Sequence, residues 1–300
     1  MNAVLVIDKP AGLTSHDIVN RVRRILQQKS VGHLGTLDPL ATGVLPVVVG
    51  SLTRLAQFYN DSEKSYEGTI RFGIATDTFD AEGDPTGPAQ EVSLSLAQVR
   101  QAAQRFRGRM QQMPPPFSAK KIHGVPAYKL ARKKREVKLA PVEVEIHEFE
   151  VLSCEAERAH FRSRVASGTY MRSVAHDLGA VLGCGAHLES LRRTRVAEFS
   201  LSDAHTCEQL ETANQAGRLE DLAIHPRKLL PDMPSVTATD EIAAFVRSGR
   251  AVNLPDFSRA KQLKVFHGQS ELIAIATRIA GTLFHPRIVF ASEKAASAAR

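Results

Sequence analysis

The residues best suited to chemistry lie between Val31 and Gly50, VGHLGTLDPLATGVLPVVVG, where one carboxylate, Asp38, stands among four glycines and two prolines. Gly32, Gly35 and Gly43 permit backbone geometries that other residues resist, and Pro39 fixes the bond after Asp38, so the stretch reads as a folded loop. Val44 to Val49 has the composition of a short buried strand. A loop mounted on a core strand holds its only acid rigidly, as a reacting group requires. Taken alone, an Asp-Pro pair is a turn starter. A nearby arginine can serve such an acid by keeping a desolvated carboxylate charged.

The elements that must position these groups follow from periodicity. Val4 to Ile7 reads as a strand ended by the turn Asp8-Lys9-Pro10-Ala11-Gly12, which leaves Lys9 on a loop. Ser15 can cap a helix whose Ile18, Val19, Val22, Ile25 and Leu26 share one face. Thr53 to Tyr59 has helical character, and Tyr66 to Phe72 alternates as a half-buried strand. ATDTFDAEGD carries four acids, but Asp77, Asp80 and Asp84 lack the spacing of a calcium loop, so no metal is expected there. Ser95 to Phe106 has helical spacing. Val142 to Leu152 and Ala159 to Ala166 read as neighbouring strands, and the SGTY turn sets Tyr170 and Arg172 where the second strand gives way to a helix, Val174 to Leu182. From His187 to Arg195, Leu188 and Leu191 share a face and Arg192, Arg193 and Arg195 cluster. After the proline-broken connector Pro226 to Pro234 come a short helix, Asp240 to Arg247, and strand candidates such as ELIAIATRI.

Three hundred residues with 43% apolar content suit a globular chain of two domains. No apolar run reaches the length of a spanning helix and the start lacks a secretory leader, so a cytoplasmic location away from membranes is expected. Cys154, Cys184 and Cys207 form no CxxC pair, which argues against a disulfide framework or a cysteine zinc site. The net charge of +7 points to a polyanion. Between Ala119 and Lys138 eight Lys or Arg face one Glu, so this block alone matches the excess of the whole chain. With MPPPF before it, the segment from about 113 to 141, carrying Lys120, Lys121 and Arg132, should project as a basic insertion.

Several strings occur in chain order: DKPAGLTSHD from Asp8, GHLGTLDPLATGVLP from Gly32, SEKSY ending at Tyr66, DTFDAEGD from Asp77, SGTYMRS from Ser167 and GCGAHLESLRRT from Gly183. Together they closely resemble the TruB family, the bacterial tRNA pseudouridine-55 synthases. The resemblance implies an α+β fold: a mixed, largely antiparallel sheet core flanked by helices over residues 1–230, with the insertion acting as a thumb over the RNA. It also implies a small β-rich PUA-like RNA-binding domain over 231–300, serving as an auxiliary grip on tRNA. The implied activity is isomerisation of uridine 55 in the T-loop, with Asp38 as nucleophile, Arg172 as its cationic partner and Tyr66 as the stacking surface. His33 would fill the space left by the flipped base. Lys9, Asp80, Tyr170 and Leu191 would bind the substrate, together with Lys120, Lys121 and Arg132. The implied partner is the T-arm stem-loop of tRNA, engaged by a monomer with no obligate protein partner.

Moving a uracil from N1 to C5 of the same ribose involves no redox change and no group donor, so no cofactor is expected. A carboxylate can attack C1′ of the sugar or C6 of the base, and both routes stay open. A phenolate costs about 4 kcal/mol at pH 7, so stacking suits Tyr66 better than proton abstraction. Two rival readings are an RNA-binding protein without catalysis and a nucleotide-dependent enzyme. The Asp38, Tyr66 and Arg172 set speaks against the first, and the absence of GxxxxGK[ST] or GxGxxG against the second.

Overall fold

The computed structural model describes residues 1–117, 139–254 and 260–290, with the backbone alone at 121–122 and 125–126. Lys120 and Arg132 and the side chain of Lys121 lie outside the described residues.

The chain builds β1 (Ala3–Lys9), α1 (Ser15–Leu26), β2 (Val31–His33), β3 (Thr42–Val49), β4 (Lys64–Phe72), α2 (Leu96–Ala103), β5 (Gly108–Gln112), β6 (Lys121–Ile122), β7 (Val125–Pro126), β8 (Val142–Glu155), β9 (Arg158–Val165), α3 (Met171–Val181), β10 (Ala186–Val196), β11 (Phe199–Ser200), β12 (Ala204–His205) and α4 (Cys207–Gln215). The sheet runs β12-β1-β3-β10-β4-β9-β8-β5, with β2 alongside β3 and β11 alongside β10. Only β1–β12 and β3–β10 pair in parallel, which makes the sheet mixed and largely antiparallel.

Strand alternation divides the apolar residues between two faces. Leu5, Ile7, Leu45 and Val47 point into a core shared with Ile18 and Val22 of α1, Val174 and Leu178 of α3 and Leu210 of α4. Val4, Val6, Val44 and Val48 point the other way, into a second core with Leu34, Leu52 and Leu55. Burial on both faces explains why β3 reads as an unbroken apolar run.

Thr53 to Tyr59, expected to be helical, falls largely within a 3-10 helix over Gly50–Phe58. The cap of α1 differs from the expectation: Thr14, not Ser15, is the N-cap, and it exchanges hydrogen bonds with Asp17 in a capping box. His187 to Arg195 lies within strand β10. A bulge between Leu188 and Ser190 inserts one residue, so Leu188 and Leu191, three apart, still share a face.

After the connector, β13 (Ser235–Ala238), α5 (Asp240–Arg247), β14 (Val252–Asn253), β15 (Gln262–His267), β16 (Glu271–Ala280) and β17 (Leu283–Val289) form a second sheet, ordered β13-β15-β16-β17-β14. This module has its own core around Phe284 and Val265. It also sends Phe266, Leu272, Ile275, Ile288 and Phe290 into the core beneath β1 and β3. The ammonium of Lys264 donates to Leu229 O (2.7 Å) and Leu230 O (2.9 Å), which fastens the connector to β15. Among the described residues no helix is long and apolar enough to cross a membrane.

Candidate active site

Asp38 sits in the loop joining β2 to β3, and that loop is tied down from every side. Ser15 Oγ accepts from Leu37 N (2.8 Å) and donates to Leu37 O (3.1 Å), so the hydroxyl at the start of α1 anchors the loop instead of capping the helix. Lys9 is fully buried, and its ammonium donates to Leu13 O (2.6 Å), Pro10 O (2.8 Å) and Pro39 O (3.1 Å). Burial pushes that ammonium down to about 8, with Asp38 opposing the fall.

A third fastening comes from Arg193, which is 1% exposed. Its guanidinium donates to Gly35 O (3.0 Å), Thr36 O (3.1 Å) and Val44 O (2.8 Å), bridging the entry and exit of the loop. The strands beneath are as close as a glycine allows. A Cβ on Gly43, whose φ is +96°, would lie 2.2 Å from Arg193 O.

Arg172, 5% exposed, rises from the first turn of α3 to meet Asp38. Its Nε lies 2.9 Å from Oδ2 and its Nη2 donates to Oδ1 at 3.2 Å, a two-point contact on one carboxylate. The remaining nitrogen stands 3.4 Å from Asp80 Oδ2 and donates to Thr78 O at 3.1 Å. Nη2 also donates to Phe117 O (3.0 Å), at the threshold of the insertion. Asp80 is itself fixed by Thr78 Oγ1 (2.6 Å) and Glu82 N (3.1 Å).

These groups border a cavity of about 320 Å³ lined by His33, Asp38, Lys64, Tyr66, Tyr170, Arg172, Leu191 and Arg193, among others. Tyr66 and Leu191 bring an aromatic ring and an aliphatic side chain to its wall, from the neighbouring strands β4 and β10. Burial raises the Tyr66 phenol above its ordinary pKa, against the pull of the adjacent Arg193, so the hydroxyl stays protonated at neutral pH. Tyr170 is clamped at the start of α3 by Gln112, which accepts from Tyr170 N (2.9 Å) and donates to Tyr170 O (3.1 Å). His33 is held below its ordinary pKa by burial and by Arg193, and is neutral at pH 7.

The structure thus gathers Asp38, Tyr66, Arg172, His33, Tyr170 and Leu191 around one cavity. Lys9 and Asp80 stand behind its wall, where they hold the Asp38 loop and Arg172. Arg193 and Lys64 were not singled out from the sequence. Strand parity carries the signal for both: Arg193 lies two residues after Leu191, and Lys64 two before Tyr66, on the same faces. The arrangement provides a carboxylate, a cation fixed against it, and a cavity with an aromatic and an aliphatic side chain on its wall.

Residues 23–171 match the family model described as "TruB family pseudouridylate synthase (N terminal domain)", and residues 172–233 the model for the "tRNA pseudouridylate synthase B C-terminal domain". The tRNA pseudouridine synthase B of Solibacter usitatus is 49% identical, over 96% of this chain and all of its own length. That of Aquifex aeolicus is 35% identical over 96% of this chain and all of its own. Among solved structures, the crystal structure of a Cbf5-Nop10-Gar1 complex contains a chain that superposes with a TM-score of 0.72 at 25% identity, covering 97% of this chain and 86% of that one. A chain in an H/ACA ribonucleoprotein bound to a substrate RNA containing 2′-deoxyuridine superposes with a TM-score of 0.70 at 25% identity, covering 97% and 85%. With one model matching residues 23–171, which include Asp38 and Tyr66, the other matching from Arg172 to 233, and a relative matched along its whole length, the chain belongs to the TruB family of pseudouridylate synthases.

Proposed function

We propose that this protein converts uridine 55 in the T-loop of tRNA to pseudouridine, with Asp38 as the nucleophile. The observation that carries the reading is the Asp38–Arg172 contact on the cavity that Tyr66 and Leu191 also line. Family membership and the names of the relatives support tRNA as the substrate.

The target base leaves the RNA stack and enters the cavity, where the Tyr66 ring and Leu191 take its two faces. His33, neutral and on the same cavity wall, occupies the space vacated in the loop. Arg172 is the counter-charge against the half-exposed Asp38 carboxylate. The carboxylate attacks the nucleoside, the N1–C1′ bond breaks, the uracil turns and C5 bonds to C1′; the bond to Asp38 breaks to return the free carboxylate, the C5 proton leaves and N1 gains one. Atoms and electrons balance without any donor. The basic insertion and the PUA-like C-terminal module hold the RNA outside the cavity.

Asp38→Asn tests the reading, because the amide keeps the shape and loses the nucleophile. The variant should bind tRNA and form no pseudouridine when an unmodified transcript is mapped chemically. Turnover by an uncontaminated variant excludes Asp38 as nucleophile, and pseudouridine at another position excludes the assignment to uridine 55.

A further inference from the structure

Lys64 opens β4 two residues before Tyr66, so the two side chains enter the cavity from one strand face. Its ammonium donates to Ser62 O (2.6 Å) and Ser167 Oγ (3.2 Å), and the Ser167 hydroxyl donates onward to Asn60 O (2.6 Å). One ammonium hydrogen is left for the cavity. No carboxylate among the described residues lies within ion-pair distance of Lys64, whereas Arg172 on the opposite side has two. Instead a second cation is close by. A Cβ at Gly35 would stand 3.9 Å from Lys64 Cε and 3.7 Å from Arg193 Nη1, so both chains bracket the same glycine.

Two cations on one wall, neither in ion-pair contact with a carboxylate among the described residues, are costly to hold out of water, and an arriving anion would offset that cost. Where the anion belongs follows from exposure. Asn60 is exposed and Ser62, Lys64 and Ser167 are half-buried, so Lys64 stands where the cavity meets solvent. A uracil carbonyl is neutral and would not offset the charge there. The group of a nucleotide that is anionic and set back from C1′ is its phosphodiester.

We propose that Lys64, supported by Ser167, binds a backbone phosphodiester of the RNA beside the flipped uridine and so sets how deeply that nucleotide enters between Tyr66 and Leu191. The inference rests on the function proposed above. The state of the ammonium agrees with it: burial pushes Lys64 down to about 8, Arg193 adds to the fall and Asp61 opposes it, so a bound anion would restore the proton.

The test uses the full chain and an unmodified tRNA transcript. Lys64→Met should raise the Kd about tenfold, the cost of one charge-assisted contact. It should also lower the slope of log affinity against log salt by about 0.7 to 0.9, one phosphate contact, while Lys64→Arg restores the slope. In steady-state assays KM should rise more than kcat falls. A single methylphosphonate at one of the phosphates flanking the uridine should weaken binding by the wild-type and Lys64→Arg proteins and leave Lys64→Met unaffected. An unchanged salt slope, or equal methylphosphonate penalties in all three proteins, overturns the proposal and leaves Lys64 a prop for the 60–62 turn. Should Lys64→Met fail to fold, Lys64→Gln, which keeps a donor for Ser62 O, takes its place, and an equal methylphosphonate penalty in wild type and Lys64→Gln overturns the proposal. Failure of the wild type to form pseudouridine in any tRNA would count against the proposed function, separately from these binding readouts.

Discussion

Arg172 grips Asp38 through two different nitrogens, at 2.9 and 3.2 Å, and spends a third on Asp80 at 3.4 Å, so one guanidinium fixes the acid and is itself fixed from behind. Lysine carries the charge but not the planar fork. Arg172→Lys should therefore lower kcat by about 100-fold, the scale of an angstrom-level misplacement at a reacting centre, while the tRNA Kd moves less than about threefold. Single-turnover kinetics with binding measured in parallel checks this, and a loss confined to Kd would show that Arg172 contacts RNA instead.

Gly43 is where β3 and β10 touch. Gly43→Ala places a methyl group against the Arg193 carbonyl at a positive φ, and the two strands must part to admit it. The expected cost is at least about 3 kcal/mol, the range of severe strain and core disruption. Chemical denaturation checks it, and Gly12→Ala, at a positive φ with nothing within 4 Å of the added carbon, isolates the backbone contribution.

The pH dependence of stability follows from His33 and His176, both lowered from 6.5, chiefly by burial. The unfolded chain takes up protons at these sites first, so their contribution is complete above pH 6.5 and is lost as pH falls through the lower folded values. His267, raised by its hydrogen bonds to Asp240 and Glu271, acts in the opposite direction. The loss of melting temperature between pH 7 and pH 5.5 should therefore be smaller in His176→Gln than in wild type and larger in His267→Gln, and identical profiles for wild type and His176→Gln would show that the His176 ring is not shielded.

As an auxiliary grip on tRNA, the module after about residue 230 would be dispensable for the chemistry. The shared core argues otherwise, since removing the module would expose Val4, Val6, Leu34, Val44 and Val48. Losing five buried partners, Phe266, Leu272, Ile275, Ile288 and Phe290, costs well over about 5 kcal/mol at 1.5–3 kcal/mol per side chain. The truncated chain should melt far lower and act poorly even on saturating stem-loop RNA. Full turnover by a stable truncation would show that the two parts are independent.

What the sequence made legible was local. The Asp38 loop, the alternation of β4 and the turn before α3 are each encoded within a few residues, and they appear where their patterns place them. Thr14 was legible too, since Thr14 and Asp17 have the spacing of a capping box, but Ser15 drew the attention that its hydroxyl spends on Leu37. What stayed hidden depends on contacts between distant segments. The roles of Lys9 and Arg193 are to satisfy the carbonyls of a loop elsewhere in the chain. A bulge in β10 gave its leucines a spacing of three, which masked the strand that aims Arg193 inward.

The tie between Arg193 and Val44 spans 149 residues, and it sets the order in which the site can be finished during synthesis. Chains emerge from the ribosome amino end first, and contacts this distant in sequence form slowly. The Asp38 loop is complete as sequence by residue 50, yet its clamp arrives with Arg193 and the core that holds Leu34 is completed by Phe290. A nascent chain held at residue 171, which already contains the whole match to the N-terminal family model, carries Asp38 without Arg172, Leu191 or Arg193. Catalytic competence is thus withheld until almost the entire polypeptide has been made, and ribosome-bound fragments should lack activity however long they are given to fold.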